Sequence, residues 1–175
     1  RESTGGGVSG QFGLRITGSD AQGVYFNRFH DVECLDVAVG IWTHSTGTVD
    51  GANANSFAQC HTYRVPTPYK TTRACDGNYF IDCGSDFSTN GLAWDCDGQH
   101  NFMIARSELG GGSAKTVAYG ANSAYNCYLG HDNNSTSNTD LGFCNVVLRP
   151  GQLGLKPGRV STGLGAFHTS DTIGA

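Results

Sequence analysis

The stretch Cys75–Arg106, CDGNYFIDCGSDFSTNGLAWDCDGQHNFMIAR, starts to repeat itself before it ends. Cys-Asp-Gly at Cys75, Asp76 and Gly77 returns at Cys96, Asp97 and Gly98, a step of 21 residues. Asn78-Tyr79-Phe80-Ile81 returns as Asn101-Phe102-Met103-Ile104, a step of 23. Self-similarity with a period in the low twenties is the mark of a solenoid, in which each repeat lies on the one before and closes a core that no single repeat can bury.

The phrase extends in both directions. The hexapeptides FHDVEC, NSFAQC, NYFIDC, NFMIAR, NSAYNC and TDLGFC end at Cys34, Cys60, Cys83, Arg106, Cys127 and Cys144. Five of the six end in cysteine and four begin with asparagine. Simple strand alternation puts the second, fourth and sixth positions inside. That predicts an inward column Cys34, Cys60, Cys83, Cys127, Cys144, broken at Arg106. Either the register slips there by one, placing Ala105 inside, or that rung opens at its corner. A second inward column is expected at Val49, Cys75, Cys96 and Ala118, followed by Asp-Gly corners in which glycine supplies a positive φ. Asparagines beside the corners stack rung on rung and satisfy one another's amides.

Composition agrees with a turn-rich all-β chain. There are 26 glycines among 175 residues, charged residues make up only 15%, and helix is expected to be nearly absent. The net charge is −4, without a basic cluster of the kind that binds a nucleic-acid backbone. No apolar run is long enough to cross a membrane as a helix, so neither nucleic acid nor membrane insertion is expected. The seven cysteines lack any C-x-x-C pair. They are expected as free, buried packing groups more than as disulfides or metal ligands, and no cofactor or metal is expected. Arg1 in place of an initiator Met suggests a fragment or processed chain. The expected organisation is a flexible lead over 1–10, a parallel β-helix of five to six coils over 11–145, and a C-terminal cap or intersubunit β segment over 146–175. His61 to Arg73 is expected to be the longest projecting loop, the kind of place where solenoids carry function.

The corner asparagines Asn55, Asn78, Asn101 and Asn122, the stacked cysteine and aliphatic columns, and the irregular loops between them resemble the right-handed parallel β-helix superfamily typified by pectate lyases and bacteriophage tailspikes. The resemblance covers about Gly10 to Cys144 and is architectural, not catalytic. Its short helix and Gly-rich, non-repeating tail look most like part of a phage tail fibre or tailspike. That resemblance implies a homotrimeric host-recognition protein of the virion tail that binds a bacterial surface polysaccharide. The alternative within the same superfamily is a secreted polysaccharide-degrading enzyme.

The residues that would serve these roles are set by chemistry. Glycan hydrolysis uses two carboxylates flanking the scissile bond, and rungs about 4.8 Å apart bring carboxylates of successive coils to such spacings. Asp82, Asp86 and Glu108 are the candidates, with Glu108 expected beside Ser85 and Glu33 in the column of Asp82. A lyase of the pectate type would need calcium-binding carboxylates and an arginine base, for which Arg106 is the candidate. Aromatic faces that could take a sugar ring are Tyr63, Tyr69, Trp42, Trp94 and Tyr128, with packing inside the protein as the competing role. The third hexapeptide positions, Phe57, Phe80, Met103 and Ala124, would form an outward apolar stripe and hence a lateral interface between identical chains.

Overall fold

A computed structural model describes residues 8–88, 92–109, 115–132 and 137–148. The described chain is all β. The strands run in order as β1 (Val8–Gly18), β2 (Val24–Tyr25), β3 (Arg28–His30), β4 (Glu33–Leu35), β5 (Val37–Ser45), β6 (Ala52–Asn53), β7 (Ser56–Ala58), β8 (His61–Tyr63), β9 (Thr67–Thr71), β10 (Tyr79–Ser88), β11 (Leu92–Cys96), β12 (Phe102–Leu109), β13 (Lys115–Tyr119), β14 (Cys127–Asp132), β15 (Ser137–Asp140) and β16 (Val146–Leu148).

Like stacks on like, in parallel. One sheet has the order β1-β5-β9-β11-β13-β15; the other runs β3-β7-β10-β12-β14-β16, with β8 also paired to β10 and β4 to β8. Four rungs have a neighbour on both sides, giving a solenoid of about four turns, slightly fewer than the five to six expected. The segment expected as a long loop, His61 to Arg73, instead carries β8 and β9. The lead segment already contains the start of β1, and β16 continues the sheet past Cys144; 149–175 lie outside the described residues.

One corner sets the period. Asn27, Asn55, Asn78, Asn101, Asn126 and Asn145 form a continuous ladder. From Asn55 onward each Oδ1 accepts from the backbone N–H and the Nδ2 of the rung before: for Asn78 from Asn55 at 3.0 and 3.2 Å, for Asn101 from Asn78 at 2.9 and 3.0 Å, and for Asn126 from Asn101 at 2.9 and 3.1 Å. The second Nδ2 proton of Asn78 goes to Ala52 O at 2.8 Å and that of Asn101 to Cys75 O at 3.1 Å. Buried amides are thereby satisfied at every rung. Asn122 is not a member; it is exposed and bonds to Asp97. The residue before each ladder asparagine is left-handed: Phe26, Ala54, Gly77, His100, Tyr125 and Cys144. Only one of these six is glycine, so the turn is held by the ladder more than by local preference.

The expected glycine corners serve a different purpose. Gly77 has φ +61°, but Gly98 is needed for close approach, since a Cβ there would lie 2.2 Å from Cys75 O. The repeated Cys-Asp-Gly phrase is therefore not the structural repeat. Asp76 bridges to Gln99, not to Asp97, while Cys96 pairs with Thr71 and Tyr119. The column of Val49, Cys75, Cys96 and Ala118 does not exist; Val49 is 83% exposed, and Ala118 pairs with Asp95.

The core runs behind the ladder. Phe29, Phe57, Phe80, Met103, Tyr128 and Val147 stack in register. The Phe57 and Phe80 rings lie 4.7 Å apart and nearly parallel. Phe57, Phe80 and Met103 are fully buried, so the stripe expected on the outside is the interior, and no interface rests on it. Tyr79 and Tyr125, expected inside, are about half exposed. Simple alternation fails because one residue in each of three rungs, Asp31, Gln59 and Asp82, turns into the left-handed region and reverses the facing of the residues after it. Phe57 and Cys60 thus both point in, although they are three residues apart. The opposite sheet supplies Ile41, Tyr69, Trp94 and Val117 to the same core.

The cysteines obey this corrected register. Cys60 and Cys83 occupy equivalent positions on successive rungs, and Ala105 takes the next. Cys34 pairs instead with Thr62. Cys34, Cys60, Cys75, Cys83 and Cys96 are buried free thiols, as expected; Cys127 and Cys144 are half-buried, outside the predicted column. Of the two alternatives at Arg106 the register slip is the one taken. The fourth rung lacks the left-handed residue, Ala105 pairs with Cys83 and is buried, and Arg106 pairs with Gly84 and is exposed.

Candidate functional site

The bulged corner continues into a groove on the outer face of β8, β10 and β12. Its lining includes Asp31, Gln59, His61, Asp82, Asp86 and Arg106, with Gly84 between them; Cys60 and Cys83 border it from beneath, buried with their side chains turned to the core. Register explains the opening. His61, Gly84 and Arg106 are successive members of one outward column, and the middle member has no side chain. A Cβ at Gly84 would come within 2.7 Å of His61 Cδ2. His61 leans across that gap, with Nε2 3.2 Å from Asp86 Oδ2.

The adjoining column is Leu35, Tyr63, Asp86 and Glu108. Glu108 therefore stands in register with Asp86, not with Ser85; its side chain lies outside the described residues. Glu33 pairs with His61 and so joins the histidine column, not that of Asp82. Asp82 is exposed at the bulge. Tyr63 is half-buried, one position along from Asp86. The Arg64 guanidinium stands 4.9 Å over its ring and is fixed by Asp36 at 2.5 Å. Of the candidates named from sequence, the fold thus brings Asp82, Asp86, Tyr63 and Arg106 to one face, with the backbone of Glu108 beside them.

The other candidates fall elsewhere. Tyr69 and Trp94 are 0% exposed. Tyr69 donates its hydroxyl to Cys60 O at 2.9 Å and Gly84 O at 2.6 Å, and Trp94 Nε1 donates to Thr71 Oγ1 at 3.2 Å. Neither ring face is open to a sugar. Tyr128 is likewise in the core. Trp42 sits on the outer face of the other sheet, between Arg15 and Lys70, whose cationic groups lie 5.1 and 6.0 Å from its ring centroid. Lys70 is paired with Asp95 at 2.5 Å. His44 meets Trp42 edge-on at 4.6 Å, and burial, then the charges of Arg15 and Lys70, push its imidazole pKa down.

Two features of the site were missed in sequence. His61 and Gln59 gave no signal of their own, because their place in the groove depends on the left-handed residue before Cys60. A short aromatic ridge at the ladder corner also escaped notice: His100 and Tyr125 stack at 5.2 Å, and Tyr125 meets Phe143 edge-on at 5.5 Å. His100 Nδ1 is 3.0 Å from Asp76 Oδ1.

The chemistry offered by the groove is hydrogen bonding. It presents carboxylates, an amide, an imidazole and a guanidinium on rigid strands, groups that match vicinal hydroxyls, amides and acidic substituents of sugars. Among the described residues no cluster of three or more His, Cys, Asp or Glu has the arrangement to hold a metal ion. Neither a family model, nor a curated protein, nor a solved structure matches this chain.

Proposed function

We propose that this chain is a host-recognition solenoid of the phage tail-fibre or tailspike kind, binding a bacterial surface polysaccharide along the outer face of β8, β10 and β12. The observation that carries the reading is the groove opened at Gly84. Over successive rungs it places Gln59, His61, Asp82, Asp86 and Arg106 within reach of one extended ligand, with Tyr63 beside them. A parallel solenoid repeats its outer positions about every 4.8 Å, which suits a polymer lying along or across the rungs. On this reading the chain acts as a homotrimer on the virion tail. The half-exposed Tyr79, Tyr125 and Phe143 at the ladder corner offer an apolar surface for the contact between chains.

A second reading has one specific observation in its favour. Asp86 and Glu108 are register partners on adjacent rungs, whose backbones are about 4.8 Å apart, and retaining glycosidases use two carboxyl groups roughly 5–5.5 Å apart. A depolymerase would use this pair on the same polysaccharide.

The test is to immobilise capsular and O-antigen polysaccharides and measure binding of the chain and its variants. His61→Ala combined with Arg106→Ala should weaken binding at least tenfold, whereas Trp42→Ala on the opposite sheet should not. A parallel reducing-end assay separates the two readings: product that disappears in Asp86→Asn and Glu108→Gln supports the depolymerase, and no product supports recognition alone. Native mass measurement of the oligomer reads the trimer directly.

A further inference from the structure

Three columns meet around the Gly84 gap, and their charge is one-sided. Asp31, Gln59 and Asp82 form the bulge column: His30 pairs with Ala58 and Ala58 with Ile81 just before it, and Glu33 pairs with His61 and His61 with Gly84 just after it. Glu33, His61, Gly84 and Arg106 make the second column, and Leu35, Tyr63, Asp86 and Glu108 the third. These positions carry five acidic residues, Asp31, Glu33, Asp82, Asp86 and Glu108, against a single arginine. The whole chain has 15 Asp and Glu against 11 Lys and Arg, so ten of each remain elsewhere and cancel. The net charge of −4 is thus gathered in these three columns.

We propose that the groove selects a polysaccharide whose repeat carries a free ammonium group, an amino sugar left unacetylated, with Asp82 as its principal anchor; this selectivity rests on the recognition role proposed above. Asp82 lines the groove and is exposed at the bulge, and its carboxylate has no ion pair or side-chain hydrogen bond among the described residues. The other two carboxylates of the lining already have neighbours. Asp31 has His30 Nδ1 at 2.7 Å and Asp86 has His61 Nε2 at 3.2 Å, groups that are charged only when protonated. Arg106 offsets one carboxylate and offers its donors to hydroxyls. With the histidine neutral, the lining keeps a surplus of two negative charges.

Register adds a second reason. Like charges directly opposite one another on neighbouring strands destabilise a sheet, and Asp86 stands in register with Glu108. An ammonium group bound across the rungs relieves that repulsion, whereas a uronate or phosphate adds to it. A groove lined by one sign of charge also concentrates ligands of the opposite sign and speeds their arrival. Asp31 and Asp82 lie two rungs apart in one column, ~9.6 Å, a span over which an extended glycan presents more than one sugar. Gln59 stands between them with an amide that both donates and accepts, suited to the hydroxyls of the intervening ring.

The experiment titrates the full chain, at mildly acidic pH where amines are protonated, with a β-linked glucosamine oligomer, the same oligomer after N-acetylation, and an oligogalacturonate. The glucosamine oligomer should bind about tenfold more tightly than its acetylated form, and the galacturonate more weakly than either. Asp31→Asn combined with Asp82→Asn should erase the preference; asparagine accepts the left-handed backbone of both positions, so the bulge survives the change. Asp76→Asn at the ladder corner should leave the preference intact, and a lysine oligomer of matched charge should bind more weakly than the sugar. Equal or tighter binding of the acetylated oligomer or the galacturonate, lost in His61→Ala with Arg106→Ala, would overturn the amine preference and leave recognition at the groove standing. Equal binding of the lysine oligomer would overturn it too, since charge alone would then suffice. If only an immobilised capsular or O-antigen polysaccharide is held, acetylating its amines replaces the oligomer pair, and unchanged retention overturns the preference. No binding to any oligomer or immobilised polysaccharide would remove the recognition role itself, and this selectivity with it.

Discussion

The two corners of each rung differ in what they can tolerate. At the ladder corner six asparagines and six left-handed residues recur without exception, and every amide bonds to the rung above or below. At the bulged corner the left-handed residue is present at Asp31, Gln59 and Asp82 and gone by the fourth rung, where Ile104 runs directly into Ala105. The first corner is collective, because each turn supplies the partners of the next. The second is local, and a residue gained or lost there shifts only the columns beyond it within the same rung. That freedom leaves Gly84 opposite His61 and opens a groove, while the ladder keeps the stack in register.

The largest expected effect is on the ladder. Asn78→Ala leaves the Asn55 N–H, one Asn55 amide proton and Ala52 O without partners in the interior. At the lower half of the roughly 1–3 kcal/mol range for each of these three groups, about 3–5 kcal/mol of stability should be lost, read as a lower midpoint in urea. Asn122→Ala, outside the ladder, should cost less than about 0.5 kcal/mol. Equal costs for the two would break the contrast between a collective corner and an ordinary polar surface.

Glycine substitutions give a smaller effect and a sharper comparison. Gly98→Ala drives a Cβ toward the backbone at Cys75 O, 2.2 Å away, and toward Asn101 Nδ2 of the ladder at 2.9 Å. Backbone has nowhere to go, and a loss of about 2–3 kcal/mol is expected. Gly84→Ala meets only the end of the His61 side chain at 2.7 Å, which swings aside for less than about 1 kcal/mol. Its consequence should appear in polysaccharide binding, because the methyl group and the displaced imidazole fill the groove. Thermal unfolding of both variants, with binding measured beside it, separates the two corners.

The smallest effect lies outside both. Asp20 accepts from the backbone N–H groups of Thr48, Val49 and Asp50 at 2.8–3.0 Å, and these bonds hold its carboxyl down to about 2 from 3.8. Its folded pKa is depressed, so its contribution is complete above about 3.8 and disappears as the pH falls toward 2. Amide exchange at 48–50 should quicken across that window and should be fast at every pH in Asp20→Ala.

Much of this arrangement was legible in the residues. The 23-residue step from Asn55 to Asn78 to Asn101 is the real period, and parallel stacking is its consequence. The 21-residue step of Cys-Asp-Gly is a coincidence of wording, since its two copies sit two residues apart in register. Asn122 displaced Asn126 because that step widens to 25 residues and both residues are asparagine. The inside and outside of the third position were exchanged because left-handed Asp31, Gln59 and Asp82 carry no glycine to announce them. A physical signal was available even so: Phe29, Phe57, Phe80 and Met103 in one column are too much apolar surface to leave in water. Asp82 and Asp86 were found as outward carboxylates on one rung. Their partners His61 and Gln59 depend on the bulge, which only the folded chain reveals.

The bulged corner, not the ladder corner or the face of Trp42, is where this solenoid is proposed to meet its ligand. Amide hydrogen exchange with and without a bound bacterial surface polysaccharide tests that claim most directly. Slowed exchange is predicted at 59–63, 82–86 and 104–106, with the ladder corner unchanged. Protection centred on Trp42 and Lys70, or on His100 and Tyr125, with 82–86 unaffected, would contradict it.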